Sequence, residues 1–289
     1  MNHDPVTLGD YGEFETAWCP GCGNFGILKA VKQALVEMDL APNQIIFVSG
    51  IGQAAKAPHY FRTNFFNGLH GRALPVATGI KLANPALKVI AESGDGCVYG
   101  EGGNHFLAAI RRNVNVTLLV HNNQVYGLTK GQASPTSQEG FETKAQPHGV
   151  QSGAFNPVAV AVAMRASFVA RGFSGLHDHL VGVLKRAFAH EGFALVDILQ
   201  PCVSFNKVNT FKWYSDRCAP LAEDYDPRDW GRALETAFRW GDQIPVGVLY
   251  EETRPTYESR LAGAGQQPAT QTADRDRLDT LRNIMLSHA

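Results

Sequence analysis

The chain has 289 residues, of which 44% are hydrophobic and 18% charged, with a formal net charge of −1. That length can bury a substantial core, as one large domain or two small ones. The near-neutral balance offers no electrostatic footprint for nucleic acid or an anionic membrane, and no apolar run is long enough to span a bilayer. The opening residues, Met1-Asn2-His3-Asp4-Pro5, lack the basic and apolar regions of a secretory signal. Five cysteines without an export signal point to thiols in a reducing cytoplasm, used for metal or redox chemistry rather than a disulfide framework.

The first strong feature is Trp18-Cys19-Pro20-Gly21-Cys22-Gly23-Asn24. A Cys-x-x-Cys with Pro-Gly between is a tight turn that aims two sulfurs at one point. It suits a zinc site, an iron–sulfur cluster or a dithiol redox pair, with an incidental pair of cysteines as the plainer alternative. No second Cys-x-x-Cys or His pair follows at zinc-ribbon or zinc-finger spacing. Phe25, Ile27, Leu28, Val31, Leu35 and Met38 then fall on one helical face. Ile45 to Val48 reads as a short buried strand ending in the glycine-rich turn Ser49-Gly50-Ile51-Gly52-Gln53, with Lys56 just beyond. His70 and Arg72, set between glycines in an apolar region, read either as an anion-binding pair or as a solvated loop pair. Leu74 to Leu82 has the pattern of a helix.

The centre of the chain is a strand–helix–strand unit. Leu87 to Ala91 is an apolar run of the kind buried in parallel sheets, His105 to Arg112 is amphipathic, and Val116 to Val120 is a second strand. Between the strands stands Gly94-Asp95-Gly96, then 25 residues, then Asn122-Asn123. Read alone, the first triplet is a tight turn. With the asparagines at the carboxyl end of the second strand it becomes a metal-bridged diphosphate site. The glycines let backbone N–H groups approach phosphate oxygens, while Asp95, Asn123 and the Val125 carbonyl give Mg²⁺ three hard oxygen ligands. This is the thiamine-diphosphate pattern. A long polar loop from Gly127 to about Phe155 begins at that site and reads as an active-site loop, with Lys130 near its start.

A helix over Pro157 to Ala163, a strand over Phe168 to Ala170 and a helix around Leu180 to Phe188 follow. The next strand, Phe193 to Leu199, delivers Cys202 to the sheet edge that carries Asp95 and Asn123. Beyond Asn206 the pattern weakens to a helix around Trp230 to Phe238 and a strand over Val246 to Tyr250. Residues 262–272 read as a linker and 275–286 as a terminal helix. The expected organisation is α/β: residues 1–215 form one thiamine-diphosphate and Mg²⁺ domain of mostly parallel sheet flanked by helices, with the Cys-x-x-Cys segment at its start. Residues 216–289 form a C-terminal extension and arm.

Taken in order, Trp18-Cys19-Pro20-Gly21-Cys22-Gly23, Ser49-Gly50-Ile51-Gly52, His70-Gly71-Arg72, Gly94-Asp95-Gly96 to Asn123 and Val125-Tyr126-Gly127-Leu128-Thr129-Lys130-Gly131-Gln132 resemble the β subunit of the 2-oxoacid:ferredoxin oxidoreductases, closest to the 2-oxoglutarate type. The resemblance covers roughly residues 15–215. It implies thiamine diphosphate, Mg²⁺ and one [4Fe–4S] cluster. It also implies oxidative decarboxylation of a 2-oxoacid, electrons passed singly to ferredoxin, and coenzyme A as acyl acceptor. The reaction is reversible in that family, so a low-potential donor can drive carboxylation and hence carbon fixation. Ser49, Gly50, Ile51, His70, Arg72, Gly94, Asp95, Gly96, Cys97, Asn123, Val125 and Gly127 are then cofactor-binding. Lys56 and Lys130 meet the distal carboxylate of 2-oxoglutarate, and Leu128 shields the thiazolium. Cys19, Cys22 and Cys202 match three cluster ligands, while Gln53 stands where the family has its remaining cysteine. Cys97 and Cys218 are the candidates left for that role, the alternative being a three-cysteine cluster with water or an unusual ligand on one iron. A separate α subunit, in an αβ or doubled assembly, supplies the aminopyrimidine-binding domain. Two rival expectations are the same chemistry on pyruvate or another 2-oxoacid, and a non-catalytic metal or electron-transfer module.

Overall fold

A computed structural model describes residues 5–261, together with the helical positions Asp279, Arg282, Asn283, Met285 and Leu286. The expected linker at 262–272 and most of the expected helix at 275–286 lie outside the described residues. The strands, in chain order, are β1 (Ile45–Ser49), β2 (Asn64–Asn67), β3 (Lys88–Gly94), β4 (Thr117–Asn122), β5 (Val125–Tyr126), β6 (Gln132–Ala133), β7 (Phe168–Phe173), β8 (Ala194–Leu199), β9 (Cys218–Pro220) and β10 (Ile244–Glu251). The helices are α1 (Asn24–Glu37), α2 (Ala73–Ala83), α3 (Gly103–Arg112), α4 (Pro157–Ala163), α5 (His177–Ala189), α6 (Phe211–Ser215) and α7 (Trp230–Ala237).

Eight strands form one sheet in the order β2-β1-β3-β4-β8-β7-β10-β9, parallel throughout except where β10 runs antiparallel to β7. Strands β4, β7 and β8 are buried along their whole length, which is why their sequences run apolar without alternation. One face packs against α1 and α5 through Ile27, Val31, Leu180, Leu184 and Phe188. The other packs against α2, α3, α4 and α7 through Ala77, Phe106, Ile110, Val162 and Ala233. Local chemistry sets the helix ends. Asn156 and Asp229 accept from the backbone N–H groups of Ala159 and Arg232, capping α4 and α7, and Asn113 closes α3 in the left-handed conformation.

Three features depart from the sequence expectation. The short parallel edge strand β2 has every residue exposed, so no apolar alternation announces it. The loop after Tyr126 folds back at once as the hairpin β5–β6. Strands β9 and β10, within the region set apart as an extension, add to the same sheet as the first 215 residues. The sheet leaves the carboxyl ends of β1, β3, β4 and β8 along one edge, and every motif singled out above follows one of those ends or packs against it.

Phe106 is fully buried under α3, with its ring centroid 5.3 Å from Tyr99 and 6.3 Å from Phe193. Replacing it with alanine costs about 3–5 kcal/mol. Denaturant unfolding of Phe106→Ala reads this as a lower midpoint at unchanged slope.

Candidate active site

Strand β3 ends at Gly94, and Asp95 opens a single π-helical turn, Gly96–Glu101, that leads into α3. Such turns are rare and concentrate at functional sites. A side chain at Gly96 is excluded by the Tyr126 ring, whose nearest carbon lies 2.3 Å from where a Cβ would stand. At the end of β4, Gln124 takes a positive φ of 60° and Asn123 Oδ1 accepts from the Val125 N–H at 3.0 Å. The chain thereby doubles back so that Asp95, Asn123 and Val125 line one cavity of about 200 Å³.

Asp95 is only 1% exposed. Its Oδ2 accepts from Ser134 Oγ at 2.5 Å and Thr136 Oγ1 at 2.6 Å, both brought in by the loop after β6. Thr136 Oγ1 also lies 2.9 Å from Asn122 Oδ1. The Asn122 amide N–H₂ group donates to both oxygens of buried Asp197, at 3.2 and 3.1 Å, and Tyr99 OH donates to the same carboxylate at 2.8 Å. Burial pushes the Asp95 carboxyl from 3.8 up to about 6, the hydroxyl donors opposing it in part.

The cavity collects Ile51, His70, Gly94, Asp95, Gly96, Cys97, Asn123, Val125, Gly127 and Leu128 from the residues named by sequence, with Gln53 and Tyr126 besides. Ser49, Gly50, Lys56, Arg72 and Lys130 are not on its wall. Ser49 is fully buried and its Oγ accepts from Asn67 Nδ2 at 2.7 Å. Gly50 packs so closely over Cys97 that a Cβ would stand 2.5 Å from its sulfur. Arg72 turns away to His105 on α3, 3.0 Å from its Nε2. Lys130 is exposed at a positive φ of 83°, and Lys56 is half-buried in the 3-10 helix Ala54–Tyr60. Ser134 and Thr136 were not legible as site residues, since nothing in a polar run marks which hydroxyls turn inward.

A second cluster forms beside this one. The Cys-x-x-Cys turn abuts the exit of β8, where Gly23 N–H donates to Pro201 O at 3.2 Å. Gln200 Nε2 donates to Cys22 Sγ at 3.3 Å, and Ser204 Oγ to Cys19 Sγ at 3.1 Å. Burial pushes the Cys22 thiol up to about 11, and neighbouring Cys202 and Cys19 push the same way. Among the described residues, no three His, Cys, Asp or Glu side chains are close enough together to hold a single metal ion. Trp18 Nε1–H donates to the Gln53 carbonyl at 2.8 Å, which sets Gln53 between the thiol turn and the cavity, and its side-chain Oε1 is buried without a partner. The two candidates for a fourth thiol go elsewhere. Cys97 Sγ accepts from Gly71 N–H at 3.2 Å on the cavity side, and Cys218 lies on β9 against Phe173, Tyr214 and Ile244.

The donor set at Asp95, Asn123 and Val125 is all oxygen and suits a hard cation, with Asp95 the one carboxylate among the cavity-lining residues. Because folding raises the Asp95 pKa, the metal-free fold is favoured while that proton is held. Stability is lost as pH rises from about 4 through about 6. Metal-free Asp95→Asn is therefore more stable than the parent above pH 6 by about 2–3 kcal/mol and no different below pH 4. A cation bound at this donor set would stabilise the parent and not the variant. Thermal unfolding across pH, with and without Mg²⁺, measures both, and coincident profiles for the two proteins would contradict the burial argument.

Comparison with known proteins identifies the family. Residues 48–198 match the thiamine pyrophosphate enzyme C-terminal TPP-binding domain, and residues 202–266 match the C-terminal region of the pyruvate ferredoxin oxidoreductase β subunit. A 2-oxoacid:ferredoxin oxidoreductase β subunit of Aeropyrum pernix is 49% identical over 257 residues, covering 85% of this chain and 81% of the relative. The 2-oxoglutarate oxidoreductase subunit KorB of Mycobacterium tuberculosis is 47% identical over 192 residues, 66% of this chain and 52% of that one. A solved 2-oxoglutarate:ferredoxin oxidoreductase from Magnetococcus marinus, with 2-oxoglutarate, coenzyme A and succinyl-CoA bound, superposes with a TM-score of 0.88 at 37% identity over 96% of both chains. The thiamine-diphosphate fold and the thiols beside it thus have one explanation: this chain belongs to the β subunits of the 2-oxoacid:ferredoxin oxidoreductases.

Proposed function

We propose that this β subunit serves a coenzyme A-acylating 2-oxoglutarate:ferredoxin oxidoreductase, converting 2-oxoglutarate to succinyl-coenzyme A and CO₂ with ferredoxin as electron acceptor. The observation that carries the reading is the juxtaposition of a cavity holding Asp95, Asn123 and Val125 with the turn of Cys19 and Cys22, which Cys202 neighbours, and with Gln53 between them. Bound thiamine diphosphate supplies the electron sink for decarboxylation, and the thiols sit where electrons must leave. Asp95, Asn123 and Val125 hold Mg²⁺. Gly94 and Gly96 keep the approach to the diphosphate open, and Leu128, at the cavity mouth, shields the reacting ring from water. Cys19, Cys22 and Cys202 bind an iron–sulfur cluster. Deprotonation of the buried Cys22 thiol is unfavourable alone and is driven by iron.

The named 2-oxoglutarate enzymes among the relatives favour that substrate over pyruvate. Neither Lys56 nor Lys130 lines the cavity, but each lies within two residues of a lining residue, Ala54 and Thr129, and we assign them to the distal carboxylate of the substrate. The site is made whole by an α subunit that holds the aminopyrimidine, and exposed Ile51 and Leu128 at the mouth suit such a neighbour. The reaction runs in either direction according to the potential of the ferredoxin, carboxylation included. The assembly works in the cytoplasm. No helix among the described residues is long and apolar enough to cross a membrane.

Anaerobically co-purified complex reduces a low-potential dye with 2-oxoglutarate in preference to pyruvate, and only when coenzyme A is present. Preference for pyruvate discards the substrate assignment, and no reduction with any 2-oxoacid discards the reaction. Removing the charge at Lys130 raises KM for 2-oxoglutarate about ten-fold more than KM for pyruvate, the weight of one charge-assisted contact. Equal effects on the two substrates remove Lys130 from the site. Iron and sulfide analysis of the same preparation finds both elements, whereas zinc in their place sinks the cluster.

A further inference from the structure

The turn that follows β4 is gripped from outside at three successive peptide carbonyls. Gln200 N–H donates to Asn122 O at 2.9 Å, Asn206 Nδ2 to Asn123 O at 3.3 Å, and Ser137 Oγ to Gln124 O at 2.5 Å. Within this turn Gln124 holds a positive φ of 60°, a conformation that costs backbone energy and persists where its surroundings over-determine it. Gln200 continues the pairing of β4 with β8, and Ser137 belongs to the loop that serves Asp95. Asn206 comes from neither. It is 2% exposed, and its Oδ1 accepts from the Val208 and Asn209 N–H groups at 3.1 and 2.9 Å. Two backbone donors face only the oxygen of an amide, so the N–H₂ end is turned to Asn123 O, its other hydrogen going to Asn209 Oδ1 at 3.1 Å.

We propose that Asn206 is a positioning residue for the cation: by holding the Asn123 carbonyl it fixes the turn that presents Asn123 and Val125 to one ion beside Asp95. The inference rests on reading the cavity as the Mg²⁺–diphosphate site. Asn206 is not among the lining residues, so it acts through Asn123. Asn123 Oδ1 is tied to the Val125 N–H at 3.0 Å, so a rotation of the peptide after Asn123 displaces the ligand oxygens of both residues together. The consequence is selective for the ion. Mg²⁺ demands near-ideal octahedral geometry at short distances, whereas Ca²⁺ accepts more ligands at longer and more variable distances. A turn released from Asn206 therefore loses Mg²⁺ more readily than Ca²⁺.

The test is the divalent-ion requirement for thiamine diphosphate binding in the co-purified complex, stripped of cations and titrated separately with Mg²⁺ and Ca²⁺. Asn206→Ser keeps a hydroxyl that closes the turn onto Val208 and Asn209 but has no arm to reach Asn123 O. Asn206→Ala keeps neither. Both variants raise the half-saturating Mg²⁺ about five-fold, the worth of one hydrogen bond, and the half-saturating Ca²⁺ by less than about two-fold. They do so alike, although metal-free Asn206→Ala melts below metal-free Asn206→Ser. If Asn206→Ala fails to fold, the two titrations of Asn206→Ser decide the matter. An equal rise for the two ions overturns the inference, as does an unchanged Mg²⁺ requirement, or a loss of affinity that follows the thermal midpoint from one variant to the other. A parent complex whose thiamine diphosphate binding is indifferent to both ions overturns the reading of the cavity on which the inference stands, a failure seen in the parent alone and so distinct from the others.

Discussion

The structure depends on keeping one ionisable carboxyl almost out of water at the end of β3. An unpaired carboxylate in that position is costly, and neutralising it with a buried arginine would block a cation. The chain solves this with hydroxyls. Ser134 and Thr136 donate to one oxygen of Asp95, and to reach it the segment after β6 must fold inward rather than trail across the surface. Ser137 Oγ then donates to Gln124 O, and Gln124 Nε2 donates back to Thr136 O. A long polar loop becomes ordered because a single side chain beneath it needs donors.

The same economy of charge extends to the next layer. Asn122 separates Asp95 from Asp197, a second buried carboxyl that burial also raises and that Tyr99 and Asn122 satisfy. Arg171, fully buried on β7, balances that charge at longer range while donating to the carbonyls of Pro245 and Ala237. Strand β10 is therefore held to the site's supporting layer by a charged side chain as well as by sheet pairing. That explains why a region whose sequence pattern fades after Asn206 is still part of the fold.

What the sequence made legible follows from burial. The helices of 11 or more residues and the fully buried strands appear in the sequence within a few residues of their observed bounds, because period and apolarity are dictated by what they pack against. Glycines at 94 and 96 and the asparagine pair were readable because their backbone chemistry is unusual wherever it occurs. The partners of Asp95 were not, since Ser134 and Thr136 look like any polar loop residues until the loop has folded. Edge strand β2 was invisible for the opposite reason: Phe65 and Phe66 are exposed, and without a buried face there is no alternation to read.

The exit of β8 has a consequence for energetics. Within residues 200–206 the chain grips Cys22 through Gln200, Cys19 through Ser204, and the carbonyl of Asn123 through Asn206 at 3.3 Å. Seven consecutive residues therefore border both the thiol turn and the wall of the cavity. A ligand that fixes this segment from the sulfur side lowers the ordering cost of binding from the oxygen side, and the free-energy coupling is necessarily equal in the reverse direction. Any ligand held at the thiol turn and any ligand held in the cavity would thus be coupled through one short peptide, each felt by the other in equal measure.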